Sequence, residues 1–358
     1  MDVVLRSGLV VVGIALIIWV LDAAVRTFVL PRAAPVRLTR WIASFNRRIF
    51  RLVGREAHSY ERRDKVMAMY GPITLLTLPA VWLAMILGAF VPIFYAIDDV
   101  PVGTAVRYSG SALFTLGFMT SAETDAVAVV FVEAAIGLAL LALLISYLPT
   151  IYSAFSKREV AVTRLSVRAG TPPTPGELLE RAHLAGFMHR LDDVFEEWEM
   201  WFVELEETHT SLVILNFFRS PNPDRSWVTA AGAVLDTASI RMAAIDLPFS
   251  PSGGLCIRAG FTALRSVGDY FGIDYNPDPS PDTPIAVTRS EFDATLDRLA
   301  LAGVPLVADR DAAWRSFAGW RVNYETVLLR LAEITMAPYA PWTSDRSPVI
   351  EVTAPSDP

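Results

Sequence analysis

Cysteine is almost absent from this chain: Cys256 stands alone among 358 residues, accompanied by four histidines. One thiol cannot form an internal bridge, so a disulfide-stapled fold is excluded, and a cysteine-based metal site lacks its partners. Charge is scarce too. Only 19% of residues are charged, against about 25% in ordinary soluble domains. A Gly-rich phosphate loop, a dinucleotide fingerprint and a nucleophile elbow are all missing, as is any sustained strand–helix alternation. No covalent chemistry, no cofactor and no nucleic-acid partner are therefore expected. What is abundant is apolar surface: 53% hydrophobic residues and a mean hydropathy of +0.39. That excludes disorder for most of the chain. The net charge of −7 is split. Residues 1–170 hold 17 Lys+Arg against 11 Asp+Glu, a net +6; residues 171–358 hold 14 against 27, a net −13. A basic, apolar half followed by an acidic, more polar half reads as a membrane part and a soluble part.

A bilayer core of ~30 Å takes about 20 apolar residues in a helix. Three stretches are long enough: about Gly8–Leu30, about Met67–Ile97 and about Ala126–Phe155. For the first, a signal peptide is the rival reading; Asp22 and Arg26 stand where small cleavage-site residues belong. The second is longer than a span needs and carries Pro72, Pro79 and Pro92, so tilt or a kink is expected. Orientation follows from the loops. Residues 31–65 carry ten Arg/Lys against three acids. Such a loop stays in the cytoplasm. The second loop offers Asp98, Asp99, Glu123 and Asp125 against Arg107, and Lys157, Arg158, Arg164 and Arg168 follow the third span. The expected topology puts the N-terminus outside and the C-terminal half in the cytoplasm, in a plasma (inner) membrane. Within the basic loop, Val36, Leu38, Trp41, Ile42, Phe45, Ile49, Leu52 and Val53 recur at helical spacing among arginines. Two readings stand: an interfacial helix touching anionic headgroups, or a solvated loop packed on the soluble half.

Between the second and third spans lies 107–121, including Ser111-Ala112-Leu113-Phe114-Thr115-Leu116-Gly117-Phe118-Met119-Thr120-Ser121. It is too short to cross and return as two helices and too apolar for an outer loop. Irregular backbone at membrane depth is tolerated only where protein buries it or water wets it. This string, placed between two spans, resembles the pore-helix end and filter of the potassium-channel pore superfamily, whose pattern is Thr-Val-Gly-Tyr-Gly. The resemblance covers about residues 67–157. It implies a re-entrant pore helix and filter at 107–121, a two-helix pore domain over 67–157, potassium or other monovalent cations as permeating ions, and a homotetramer, since one pore loop per chain supplies one quarter of a ring.

The resemblance assigns Thr115, Leu116, Gly117 and Phe118 as carbonyl-bearing filter residues, with Phe118 wedged against the pore helices. Met119 departs from it, standing where the family has a second glycine. A methionine at positive φ costs on the order of 1 kcal/mol, so backbone strain is expected there. Glu123 and Asp125 read either as an acidic ring at the outer mouth or as a solvated turn. Glu133, a charge within the third span, is expected to brace the back of the filter, with a pore-lining or purely structural place as the alternatives. Gly137 is a hinge or a site of close helix packing, and Pro149 a bend near the gate.

After 1–66 (first span and basic segment) and the pore domain, the chain reads as a linker at 158–175, a helical cytoplasmic domain at 176–340 and a disordered tail at 341–358. Helices are expected over 176–208, 224–245, 254–271, 290–303 and 310–335, with Ser226 or Asp224 capping the second. The fold class is thus all-α: three transmembrane helices, a re-entrant pore loop and a helical domain. The nearest approach to a metal set is His189, Asp193, Glu206 and His209, in which Glu206 and His209 have Glu-x-x-His spacing. No second such pair exists, and a solvated acidic helix face is the competing reading. Any cytoplasmic ligand is unspecified. The reading is a cation-channel-like tetramer; the alternative is a non-conducting relative that keeps the pore fold as a scaffold or receptor.

Overall fold

Helix is the only regular structure among the described residues of the computed structural model, 3–28, 36–55 and 60–349; it takes up 75% of the chain, and no strand occurs. Two compact units divide at 153/154.

The first unit holds α1 (Val3–Phe28), α2 (Arg37–Arg55), α3 (Tyr60–Ala68), α4 (Tyr70–Asp98), α5 (Val102–Leu113) and the first part of α6 (Thr124–Ala169). Three helical stretches, Val4–Phe28, Asp64–Asp98 and Thr124–Ala169, are long and apolar enough to cross a membrane. Leu30, Arg32 and the end expected for the first span lie outside the described residues. Helices α1 and α4 run antiparallel. Arg6 Nη2 meets Asp99 Oδ1 at 2.6 Å near one end, and the Phe28 ring stands edge-on to Trp82 at 5.1 Å near the other. Between them the backbones approach closely: a Cβ on Gly13 would lie 2.6 Å from the Ala89 carbonyl oxygen. Small residues at a crossing permit this where lipid gives helices no hydrophobic reason to associate. Pro79 and Pro92 remain inside α4.

The three apolar stretches differ in cover. Of the most apolar window in each, 39% is buried in α4, 28% in α1 and only 17% in α6. The buried stripe of α6 within this unit is narrow: Ala126, Glu133, Gly137, Leu140, Tyr147 and Ile151.

In the second unit α6 continues to Ala169, so the segment expected as a linker is mostly helical. No glycine or proline interrupts it before Gly170, whose φ of +83° ends the helix. The helix expected over 176–208 breaks at Gly186 (φ +71°) into α7 (Pro175–Leu184) and α8 (Leu191–Ser211). Thr174 caps α7, accepting from the Glu177 amide at 3.3 Å. A 3₁₀ turn, Val213–Phe217, precedes α9 (Trp227–Ala244), which Ser226 caps by accepting from the Val228 amide at 3.2 Å. Then follow α10 (Pro251–Phe271), α11 (Arg289–Leu301), α12 (Arg310–Arg321) and α13 (Glu325–Thr335). The helix expected over 310–335 is thus two. Asn323 turns its side-chain amide back to the Gly319 and Trp320 carbonyls at 3.0 and 3.2 Å, and the buried Tyr324 follows.

Helix α9 is the centre of this unit: every residue but Met242 is buried. Gly260 of α10 lets Leu235 of α9 and Phe202 of α8 reach its backbone. A buried charge cluster joins four segments. Arg321 is fully enclosed and pairs with Asp236 and, at 2.5 Å, with Glu325; Tyr324 donates to Asp236 at 2.8 Å. Arg321 also donates to the Trp342 carbonyl at 2.5 Å. That contact corrects part of the expected tail. Trp342 and Thr343 are buried and Arg346 pairs with Glu291 at 2.8 Å; only 350–358 lie outside the described residues.

Candidate functional site

The site is built on α5, a helix of small residues seated against α4. Its buried face is Ala105, Tyr108, Ser109, Ser111, Ala112 and Leu113, with the Tyr108 ring edge-on to Phe94 at 5.9 Å. Two contacts hold α5 to α6. Ser109 Oγ lies 2.5 Å from Glu133 Oε1 and 3.3 Å from the Leu87 carbonyl oxygen of α4. Glu133 is fully buried, and its contact with Ser109 joins the middle of α5 to α6. Gly137, one turn on, sits directly against the Leu113 carbonyl; any side chain there would collide with the last residue of α5. Of the two readings for Gly137, close packing has the direct structural account.

Helix α5 ends in a Schellman motif. The Leu116 amide donates to the Ser111 carbonyl at 2.9 Å, the Thr115 amide to the Ala112 carbonyl at 2.9 Å, and Thr115 takes the left-handed position with φ +53°. Glycine normally fills this place. A β-branched residue there stores strain on the order of 1 kcal/mol or more. Gly117 follows at φ +68°. The strain expected at Met119 is therefore found at Thr115 instead; Met119 is not left-handed. Its amide donates to Ser111 Oγ at 3.1 Å and its side chain packs against the core. Ser111 thus supports the loop with both its carbonyl and its hydroxyl.

This anchored loop is uncovered on its other side. Phe114, Leu116 and Phe118 are 51%, 63% and 64% exposed within the single chain, and Thr115 and Gly117 are exposed as well. Phe118 therefore does not wedge against its own α5. Three exposed apolar side chains thus stand together on a hydrogen-bonded base.

Glu123 and Asp125 are both exposed at the start of α6. Glu123 accepts the Val127 amide at 3.0 Å through its carbonyl, its own amide donates to Ser121 Oγ at 3.0 Å, and Asp125 sits in the first turn, where the helix dipole favours an acid. Pro149 lies inside α6, exposed, and the helix runs through it.

The four residues of the metal expectation are not brought together. His189 is exposed on a 3₁₀ turn, Asp193 pairs with Arg190 at 3.0 Å, and Glu206 accepts from Ser266 at 2.7 Å. His209 is buried and committed elsewhere. Among the described residues no group of three or more potential ligands could hold a metal. The acidic face of α8 is only partly solvated: Asp192 and Glu196 accept hydrogen bonds from Ser250 and Ser252 at 2.5 and 3.1 Å, a seam with α10.

What His209 does is hold Arg158, a residue sequence reasoning passed over. All five N–H groups of the buried Arg158 are used. They go to Glu159 Oε1 (3.0 and 2.8 Å), His209 Nε2 (3.1 Å), the Leu215 carbonyl (2.8 Å) and the Phe218 carbonyl (2.6 Å). Since Arg158 only donates, His209 Nε2 must accept. The ring proton then sits on Nδ1, facing Thr208 Oγ1 at 3.0 Å. Burial, with the Arg158 charge alongside, holds the His209 pKa well below the usual range. Cys256 is buried, which pushes its thiol pKa up and leaves it inert.

No protein-family model, no curated protein and no solved structure matches the chain.

Proposed function

We propose that this chain is one subunit of a tetrameric, cation-channel-like membrane protein. In this reading α1, α4 and α6 cross the bilayer with the N-terminus outside and the 154–358 unit in the cytoplasm. The loop after α5 lines a central axis, and potassium or another monovalent cation passes it without covalent chemistry or cofactor. The resemblance of Thr115–Phe118 to a filter supplies the starting point. The observation that carries it is the combination at 114–119: a loop anchored from behind by Ser111 and the Ser109–Glu133 contact, strained at Thr115, yet bare and apolar on its front. Copies of the chain meeting there cover the exposed rings and bring main-chain oxygens together, which is how a dehydrated cation is coordinated. The low cover of α6 supports the same arrangement, because a helix facing a pore and neighbouring subunits has little to bury within its own chain. The helical unit assembles or gates the pore.

A second reading has its own observation. Met119 packs its side chain on the core and lacks the left-handed backbone, at the position where the family pattern has a second glycine. That favours a tetramer that keeps the pore fold as a scaffold or receptor without conduction. Potassium and sodium flux into liposomes holding the full protein separates the two. The channel reading expects flux that Gly117→Val abolishes and Met119→Gly makes more potassium-selective. A stable tetramer without flux leaves the scaffold.

A further inference from the structure

Helix α2 is the one strongly amphipathic element that the pore does not use. Its sequence, Arg37 to Arg55, holds six arginines and no acid. Three polar ties fix its rotation. Thr39 Oγ1 meets Thr27 Oγ1 of α1 at 2.9 Å, Asn46 donates to Thr74 Oγ1 of α4 at 3.3 Å, and the Ala43 carbonyl accepts from the Tyr70 hydroxyl at 3.1 Å. Leu38 and Ile42 are buried beneath them. With that side committed, a second apolar side faces outward: Trp41, Phe45, Ile49, Leu52 and Val53 are exposed, and Trp41 stacks on Phe45 at 5.9 Å. Arg37, Arg40 and Arg48 are exposed beside them.

The level of this helix is set by what it touches. Thr27 is in the last turn of α1, and Tyr70 and Thr74 open α4. This is the end of the α1–α4 pair opposite the Arg6–Asp99 contact. A helix seated where one apolar span stops and the next starts lies at the boundary of the hydrocarbon. There an outward apolar side enters the acyl region while flanking arginines rise to the phosphates.

We infer that α2 is a docking surface for anionic phospholipid headgroups, with Trp41 and Phe45 inserted and Arg37, Arg40 and Arg48 holding phosphate. Charge complementarity selects this occupant: a helix with six cations and no anion seeks negative charge, and an exposed apolar side seeks acyl chains; a bilayer surface offers both together. The inference rests on the membrane reading of α1 and α4 and not on conduction, so a silent pore leaves it standing.

The test uses the full protein in nanodiscs of phosphatidylcholine with a minority of phosphatidylglycerol. Lipids retained after brief delipidation are counted by native mass spectrometry. Preferential retention of phosphatidylglycerol is expected, weakening as salt is raised. The triple variant Arg37→Gln/Arg40→Gln/Arg48→Gln should lose the preference, by about fivefold for each arginine. The corresponding Arg→Lys triple variant should keep it, which separates lost charge from a damaged fold. Because Cys256 is buried, a spin label attached to Phe45→Cys reports that position alone, and it should be reached by oxygen but shielded from a water-soluble nickel chelate. Equal retention of both lipids by the native protein overturns the proposal. So does a label open to the nickel chelate, loss of the preference in the lysine variant, or a disulfide between position-45 thiols of two subunits, which would make this side a contact between copies.

Discussion

Helix α9 and the first part of α6 are both rich in apolar and small residues, yet their surroundings are opposite. Every residue of α9 but Met242 is enclosed by its own chain. Along α6 only a narrow stripe is covered, and Phe131, Val132, Leu138, Leu141 and Ile145 stand exposed. The first helix is the centre of a hydrophobic core, where burial of apolar area drives folding. The second leaves most of its apolar surface uncovered by its own chain. The two units follow suit in their buried charge. The 154–358 unit holds the buried Arg321–Asp236–Glu325 cluster, whereas in the first unit the buried Glu133 meets the Ser109 hydroxyl.

The largest expected effect lies at that cluster. Arg321→Ala leaves Asp236 and Glu325 buried without their cation and should destabilise the helical unit by about 3–5 kcal/mol. Denaturant titration of the full protein with protease digestion as the readout should show 154–358 cleaved far more readily while 1–153 stays membrane-protected. Equal protease resistance would erase the contrast between the units. Next comes Gly137→Leu. It drives a side chain into the Leu113 carbonyl, and overpacking of this kind costs typically ~1–3 kcal/mol. We expect loss of the tetramer or of flux, whereas Leu141→Ala on the exposed side should leave the single chain's fold intact and weaken only association, measured by mass in detergent.

Acidification comes third, and in the 154–358 unit it acts through His209. His209 faces Arg158 of α6 at 3.1 Å and the Trp227 ring of α9 at 5.2 Å. Its folded pKa is depressed, so below about pH 6.5 the unfolded chain takes up the proton first. Stability is therefore full above the ordinary histidine pKa and falls as pH drops beneath it, by up to ~1.4 kcal/mol per pH unit. Denaturation midpoints from pH 8 to 5 should show this slope, and His209→Gln should flatten it. The smallest effect is Thr115→Gly, which relieves the left-handed strain and should raise stability by about 1 kcal/mol. If the strain serves the pore, flux or selectivity changes even as the melting temperature rises.

Much of this architecture was legible in the sequence, for a physical reason. A span announces itself by an unbroken apolar run, and α2 by arginines interleaved with Trp41, Phe45 and Ile49, because one environment acts on all residues of such a helix. A short helix between the second and third apolar stretches was also readable, whereas the turn that closes it was not. The helical unit was harder. The centrality of α9 hides behind Ala, Gly, Ser and Thr, which are neutral on any scale. Asp236 and Arg321 are 85 residues apart and meet only through tertiary packing. The burial of Trp342 had one available signal, a lone tryptophan in a stretch otherwise read as tail. Strain at Thr115 rather than Met119 was out of reach, because the Schellman closure is set by where α5 ends, and Gly137 fixes that end from another helix.

The account turns on whether Thr115–Phe118 faces a symmetry axis. A density map of the full protein in nanodiscs, in potassium and without imposed symmetry, tests this directly. Four copies should surround a channel with ion density between the main-chain oxygens of residues 115 and 118. Subunits that remain apart, or a loop turned to the outer surface with no axis near it, would contradict the central claim.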